Sequence, residues 1–404
     1  MAVQTTTNLS NSVTNIYKNR YLDGAKSIAL YDQIAIPYTE LGADGKSMDE
    51  LMRGSTIYVP FLSSMTPGVT AISQTADVTP QTLVDDTNSV TTTSRGEALQ
   101  WSQQLEIQAY TDYTAKAYQE VGENAMKSIE ILAWTAALAG TWVERTAARA
   151  SLDAGTASHR ASDSIFAKYD GMLQTLKVPS YVDGEGQPFW TAIMHPFAFH
   201  DIRESGNVKA IGDLANPGIH LNWELGQIGR FRILSSAYAK VFGAAGADAA
   251  SNVATTLNGD VAALAASIIV DASIANHSTS IFGWIGTEET GSTFYPTNEP
   301  YKYVSGTTTA VIIGGAANGG LIYAHDDGTA VRNADSVYPI LFAGPRSLVK
   351  VYASNVGEFG MTVGPKVDGL LDQFNSLGWK YYGGYGVVSE NYLLRYECST
   401  SYEA

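Results

Sequence analysis

From Gly378 to Val388 the chain reads Gly-Trp-Lys-Tyr-Tyr-Gly-Gly-Tyr-Gly-Val-Val, and beyond a Ser389-Glu390-Asn391 turn it continues Tyr392-Leu393-Leu394-Arg395-Tyr396. Aromatic and β-branched residues this dense, broken by glycines and that turn, predict two strands of a sheet that meets another surface. The run carries no catalytic signature. Trp379, Tyr381, Tyr382 and Tyr385 could stack on sugars or bases, but at strand alternation such side chains are more often core and interface groups.

A chain of 404 residues exceeds one ordinary hydrophobic core, so two or three packed units or one elaborated fold are expected. Only 16% of its residues are charged while 45% are apolar, a balance that favours a surface made for contact. The formal net charge of −15 excludes a protein that grips nucleic acid in a basic groove, because phosphate neutralisation needs clustered Lys and Arg. Cys398 is the only cysteine, so no internal disulfide forms and an intracellular folding compartment is expected. Met1 to Thr7 lacks the basic start and apolar core of a signal peptide, and no apolar run reaches the ~18 residues that span a bilayer. A soluble chain made in the cytoplasm is the expectation.

Residues 1–53 are polar, with short apolar spots at Ile16-Tyr17 and Ile28 to Ile36, and are too poor in core residues to fold alone. From Thr56 to Trp101 the pattern is strand-like, with Pro67-Gly68, Thr79-Pro80 and the Asp85 to Ser89 loop as interruptions. Thr, Val and Pro without large aromatics predict a long two-stranded excursion, marginal alone and in need of a partner surface.

Tyr110, Tyr113, Ala117, Val121, Ala125, Ile129, Leu132 and Ala136 recur at helical spacing, which predicts a helix from about 112 to 139. Such a helix is roughly 40 Å long. Asp112, Lys116, Glu120, Glu123, Lys127 and Glu130 form its wet stripe, and Gly122 is a point where it could bend. A second helix is expected from Asp163 to Leu176, followed by a Trp190 to Met194 strand that opens a central α/β unit. Residues 243–335 read as an insertion with a helix-like run (Leu257, Val261, Leu264, Ile268, Ala272). Strands are expected there around Ile281 to Trp284, Tyr301 to Val304, Val311 to Ile313 and Leu321 to Ala324, joined by Gly314 to Gly320 and Asp326-Asp327-Gly328 turns.

No chemical site emerges, and no catalytic, cofactor-binding or metal residue is assigned. His195 and His200 with Asp201 could form a metal site or a base with its orienting acid, but no third ligand is placed by spacing, so capping and packing roles are expected. His159, His220, His277 and His325 are scattered. The Gly314 to Gly320 run lacks the Gly-Lys-Ser/Thr of a phosphate loop, and Asp44 to Glu50 does not fit a calcium loop. Cys398 has no histidine at motif spacing, so a packed thiol is expected.

Four segments in order resemble one family. The closing Gly-Trp-Lys-aromatic run with its last strand carrying Asn391 and Arg395 is similar to the end of tailed-phage major capsid proteins. So are Ile193-Met194-His195-Pro196 with a short helix from Phe197 to Arg203, and a strand Leu225-Gly226-Gln227-Ile228-Gly229-Arg230-Phe231-Arg232-Ile233. The extended segment of residues 54–101 is the fourth and weakest likeness.

The resemblance implies an α+β chain with the Johnson fold, the shell fold of tailed-phage and herpesvirus capsids. Its parts would be an N-terminal arm (1–53), an extended loop (54–101), a peripheral domain on a spine helix (102–180), and an axial domain with returning strands (181–404) carrying the 243–335 insertion. It further implies a non-enzymatic subunit of the virion capsid, assembled in the host cytoplasm. The partners would be other copies in pentamers and hexamers, a portal, scaffolding or decoration proteins, and double-stranded DNA held by weak inner-surface contact, with no membrane and no cofactor. On composition alone, a β-rich tail-tube, adhesin or surface-layer protein fits as well, and a carbohydrate-active enzyme could use an acidic pair among the Asp and Glu.

Overall fold

The structure is a computed structural model and describes residues 30–38, 56–62, 65, 67–69, 80–82, 85–108, 112–183, 186–204, 209–210, 224–243, 245–246, 255–271, 282–287, 297–306, 310–313, 321–332, 335–353, 358–368 and 373–403. The chain runs through strands β1 (Ala35–Pro37), β2 (Thr56–Leu62), β3 (Asp85–Thr91) and β4 (Thr93–Ser102), then helices α1 (Gln103–Gln108) and α2 (Tyr113–Ala137). Next come β5 (Val143–Arg145), α3 (Asp163–Thr175), β6 (Tyr181–Val182), β7 (Pro188–Met194), α4 (Pro196–Glu204), β8 (Lys209–Ala210), β9 (Glu224–Ile228) and β10 (Phe231–Ser235). Six strands follow: β11 (Thr255–Thr256), β12 (Ser267–Ile269), β13 (Phe282–Ile285), β14 (Glu299–Gly306), β15 (Ala310–Ile313) and β16 (Ala330–Arg332). The last are β17 (Tyr338–Ala343), β18 (Leu348–Tyr352), β19 (Met361–Asp368), β20 (Phe374–Val387) and β21 (Leu393–Cys398). The described residues divide into two units, one drawn from Ala35–Ile129 and Leu348–Val388, the other from Ile28–Ile34, Glu130–Ser347 and Ser389–Ala404.

The first unit is organised on β20. This 14-residue strand pairs antiparallel with β4, β19 and β18, and β1 adds in parallel to β18. Its glycines permit close approach: a Cβ on Gly384 would lie 2.3 Å from the Thr91 carbonyl oxygen, and one on Gly378 would lie 2.8 Å from that of Glu97. The two strands expected of the closing run both form, but β20 and β21 lie in different sheets. The 3-10 turn at Glu390–Tyr392 ends one pairing register before the other begins.

β2 and β3 form a two-stranded ribbon, as expected, although most of the residues between them lie outside the described set. Ile57 and Val90 are buried against Val349 and Val351, and the Asn88 amide donates to the carbonyls of Val387 (3.1 Å) and Val388 (2.6 Å). Residues 93–102 depart from the expected excursion, because β4 is a strand of the β20 sheet.

α2 follows the predicted periodicity and runs 25 residues without interruption at Gly122. Asp112 caps it, its Oδ1 accepting the Ala115 N–H at 3.0 Å. Ala117, Val121, Ala125 and Ile129 are buried, and within the first unit the Trp379 Nε1–H donates to Asn124 Oδ1 at 2.8 Å. Lys116, Glu120 and Lys127 are exposed as expected. Glu130 is a correction: assigned to the wet stripe, it is 3% exposed.

In the second unit an eight-stranded sheet runs β5-β21-β17-β7-β10-β9-β8, with β6 on β7. β7 and β10 are parallel, which the α4 crossover makes available, and β10, β17 and β21 are buried along their whole length. One face carries Trp190, Ala192, Phe231, Ile233, Ile340, Phe342, Leu394 and Tyr396 against Ile165, Phe166, Tyr169 and Leu173 of α3. Tyr169 stacks on Phe342 at 4.3 Å. The Leu225 to Ile233 segment, expected as one strand, is a hairpin of β9 and β10 turned at Gly229, whose φ is +57°. A two-residue turn that starts at positive φ suits glycine.

Residues 255–332 contain their own sheet, ordered β11-β16-β13-β14-β15-β12. A bridge between Leu257 and Val270 joins its two ends, with Asn258 N–H donating to Ile269 and Asp271 N–H to Thr256, so the six strands close on themselves. Leu257, Ile268, Val270, Ile285, Tyr301, Leu321 and Val331 fill the interior. The helix expected from Leu257 to Ala272 does not form. Asn258-Gly259-Asp260, with Gly259 at φ +96°, breaks the run, and Ile268 to Val270 is a strand-like patch that the helical spacing masked. Residues 321–324 are likewise not a strand, and the strand near them is β16; the Gly314 to Gly320 turn lies outside the described residues.

The buried face of α2 sets a test. Val121→Asp or Ile129→Asp places an unpaired charge in the core and is expected to abolish soluble protein, whereas Lys116→Ala should change stability by less than ~1 kcal/mol in chemical denaturation. Equal tolerance of both kinds of change contradicts the assigned face.

Candidate assembly surface

The residues singled out for chemistry take structural places. His195 is the N-cap of α4: its Nδ1 accepts the Phe197 N–H at 3.3 Å, and burial lowers its pKa to about 4, which keeps the ring a neutral acceptor. His200 stands 3.7 Å from both Asp201 and Glu204, but the Asp201 carboxylate accepts the Ser401 N–H and hydroxyl and so ties the C-terminal segment to α4. Cys398 is buried against the Tyr338 carbonyl, and burial pushes its thiol pKa up, away from a nucleophile's range. Among the described residues no three His, Cys, Asp or Glu side chains are grouped to hold a metal, and no helix is long and apolar enough to cross a membrane.

Three buried carboxylates carry the polar interior of the second unit. Arg395 and Glu397, two residues apart on β21, point to the sheet face opposite the aromatic core. Glu397 is fully buried and meets Arg149 (2.5 and 2.9 Å), Arg145 (3.0 Å) and Arg395 (3.1 Å). Burial pushes its pKa up, but the three guanidiniums outweigh that and hold the carboxyl below its ordinary value. Arg395 also donates to the Leu138 carbonyl, and Arg149 lies 4.2 Å above the Phe242 ring.

Glu130 accepts the N–H groups of Leu30 (3.0 Å), Tyr31 and Asp32 (3.3 Å), the opening of a 3-10 turn buried at Leu30, Tyr31 and Ile34. Glu299 accepts the N–H groups of Ile322 (2.5 Å) and Tyr323 (2.9 Å) and stands 2.9 Å from His325 Nε2. These clusters escaped the sequence reading, although one signal was present. In Leu-Leu-Arg-Tyr-Glu-Cys two opposite charges occupy one face of an apolar strand, and a buried charge must be paired.

Several large apolar side chains are exposed. In the first unit Tyr58 on the ribbon is 61% exposed and Val69, between its two strands in sequence, 92%; α1 is exposed along its whole length, with Ile107 at 84%. A six-residue helix with no buried residue has little stability of its own. In the closed sheet Leu264, Ile269 and Ile322 are exposed. Such apolar exposure is suited to contacts between macromolecules.

No protein-family model matches the chain, and no curated protein matches it. Solved structures do match. The capsid of Ralstonia phage GP4 aligns over 86% of this chain and 84% of its own with a TM-score of 0.52 and 11% identity. The cyanophage Pam1 capsid asymmetric unit covers 91% of this chain and 88% of its own at a TM-score of 0.48 and 10% identity, and the capsid of cyanophage P-SCSP1u covers 85% and 83% at 0.48 and 9%. The first of these likenesses shows the fold: the α+β architecture is the tailed-phage capsid fold, the Johnson fold.

Two of the buried carboxylates give tests. Glu299→Ala orphans two amides and should speed hydrogen exchange at Ile322 and Tyr323, at a local cost of about 1–3 kcal/mol; unchanged protection there would contradict the assignment. Burial, with the Asp32 charge adding to it, raises the Glu130 pKa to about 8, against the N–H bonds that lower it. A carboxyl raised in the folded state contributes stability that is full below its unfolded value near 4.5 and lost as pH climbs toward about 8. Protection of the Leu30–Asp32 amides, corrected for intrinsic exchange, should therefore fall across that window in the wild type and lose its pH dependence in Glu130→Gln.

Proposed function

We propose that this chain is a major capsid protein, a structural and non-catalytic subunit that assembles with copies of itself into the icosahedral shell of a tailed phage. The observation that carries the reading is the shared capsid fold over 86% of the chain. Exposed apolar positions on the ribbon and α1, and interior polar groups committed to holding the fold, support it. On this reading pentamers and hexamers tile the shell, residues 1–53 serve as arm, the β2–β3 ribbon as extended loop, the unit of β4, β18–β20 and the first turns of α2 as peripheral domain, and the unit of β7, β10, β17 and β21 as axial domain.

The 243–335 insertion decorates the axial domain as a small closed sheet. The net charge of −15 leaves only local contact with packaged double-stranded DNA. A portal, scaffolding or decoration proteins and assembly in the host cytoplasm complete the proposal.

Negative-stain electron microscopy of the purified, overexpressed chain tests it. Closed shells, or capsomers that close into shells with a co-expressed scaffold, are expected. Tubes, filaments or planar arrays would assign the chain to another self-assembling class.

A further inference from the structure

Among the described residues β4 pairs only with β20 and so is an edge strand with an open side. Residues Thr93–Ala98 are exposed on both strand faces, and the β2 ribbon stops alongside β3 at the Thr56 to Thr91 pair. The Glu97 carbonyl turns toward β20, lying 2.8 Å from where a Cβ of Gly378 would sit, so the backbone groups of Ser94, Gly96 and Ala98 point away from the sheet. Among the described residues the Ala98 N–H finds only the carboxylate of its neighbour Glu97, at 3.4 Å. An exposed edge of this kind is a template for another strand.

The side chains say which strand. Arg95 and Glu97 flank Gly96, share one face of β4, and have no ion-pair partner among the described residues. If two copies of β4 run antiparallel about Gly96, Ser94 meets Ala98 and Gly96 meets Gly96 at the hydrogen-bonded positions. Arg95 of each copy then faces Glu97 of the other, twice, at the closer non-hydrogen-bonded positions. Shifting this register by two places Arg95 against Arg95, or Glu97 against Glu97, so the charges specify the alignment. We propose that β4 is a two-fold contact at which two copies of this chain join edge to edge through Arg95, Gly96 and Glu97. The inference rests on the reading that the chain assembles with itself, and names where.

The test compares the full chain with Arg95→Glu, Glu97→Arg and the double reversal, by sedimentation of the subunit and by electron microscopy of its assemblies. Each single reversal sets two like-charged pairs opposite one another and should weaken association about tenfold, while the melting temperature stays unchanged because both positions are exposed. The double reversal, and an equal mixture of the two single variants, should each restore wild-type association. Shells that assemble alike in all variants would overturn the contact and leave the capsid reading standing, as would singles that the double reversal and the mixture fail to rescue, which would give the edge to a segment of other sequence. A wild-type chain that never self-associates would overturn both.

Discussion

The first unit depends on one constraint, the close backbone approach along β20. Four positions of this 14-residue strand are glycine: a Cβ at Gly378, Gly383 or Gly384 would lie 2.8, 2.4 or 2.3 Å from a backbone carbonyl oxygen, and one at Gly386 would lie 2.5 Å from the Val90 side chain. Side chains between them, Trp379 and Tyr381, are 5% and 1% exposed, so the same strand supplies the core and the room for its neighbours. Trp379 in turn fixes α2 through Asn124. The exposed ribbon and the β4 edge are held in place by this one strand.

In the second unit the corresponding role falls to buried charge. Glu397 with its three guanidiniums joins β21, β5 and the Arg149–Ser151 turn, while the opposite sheet face is filled by aromatic packing. A pair of this kind contributes little net stability over an apolar replacement, but removing one partner costs several kcal/mol because the others remain buried. The interior polar groups of this chain are thereby committed to architecture.

Helical periodicity made α2 and α3 legible almost to the residue, and the His195-Pro196 step marked both the end of β7 and the cap of α4. The closing run was legible as strands but not as strands of two sheets, because partner choice is set by tertiary pairing. The Leu257 to Ala272 error had a local cause: apolar residues at spacings of three and four satisfied a helix template, while Asn258-Gly259-Asp260 carried turn chemistry that outweighed it. Glu130 was misplaced because charge alone suggested solvent, whereas three backbone N–H groups from residues 30–32 give it a buried partner. The exposed edge of β4 was the least legible part, since exposure on a strand edge depends on tertiary pairing.

The central claim, that close approach along β20 organises its unit, is tested most directly by Gly384→Val. The new Cβ would sit 2.3 Å from the Thr91 carbonyl oxygen, so the account predicts loss of soluble, cooperatively melting protein. A variant as soluble as the wild type with an unchanged melting temperature would contradict it.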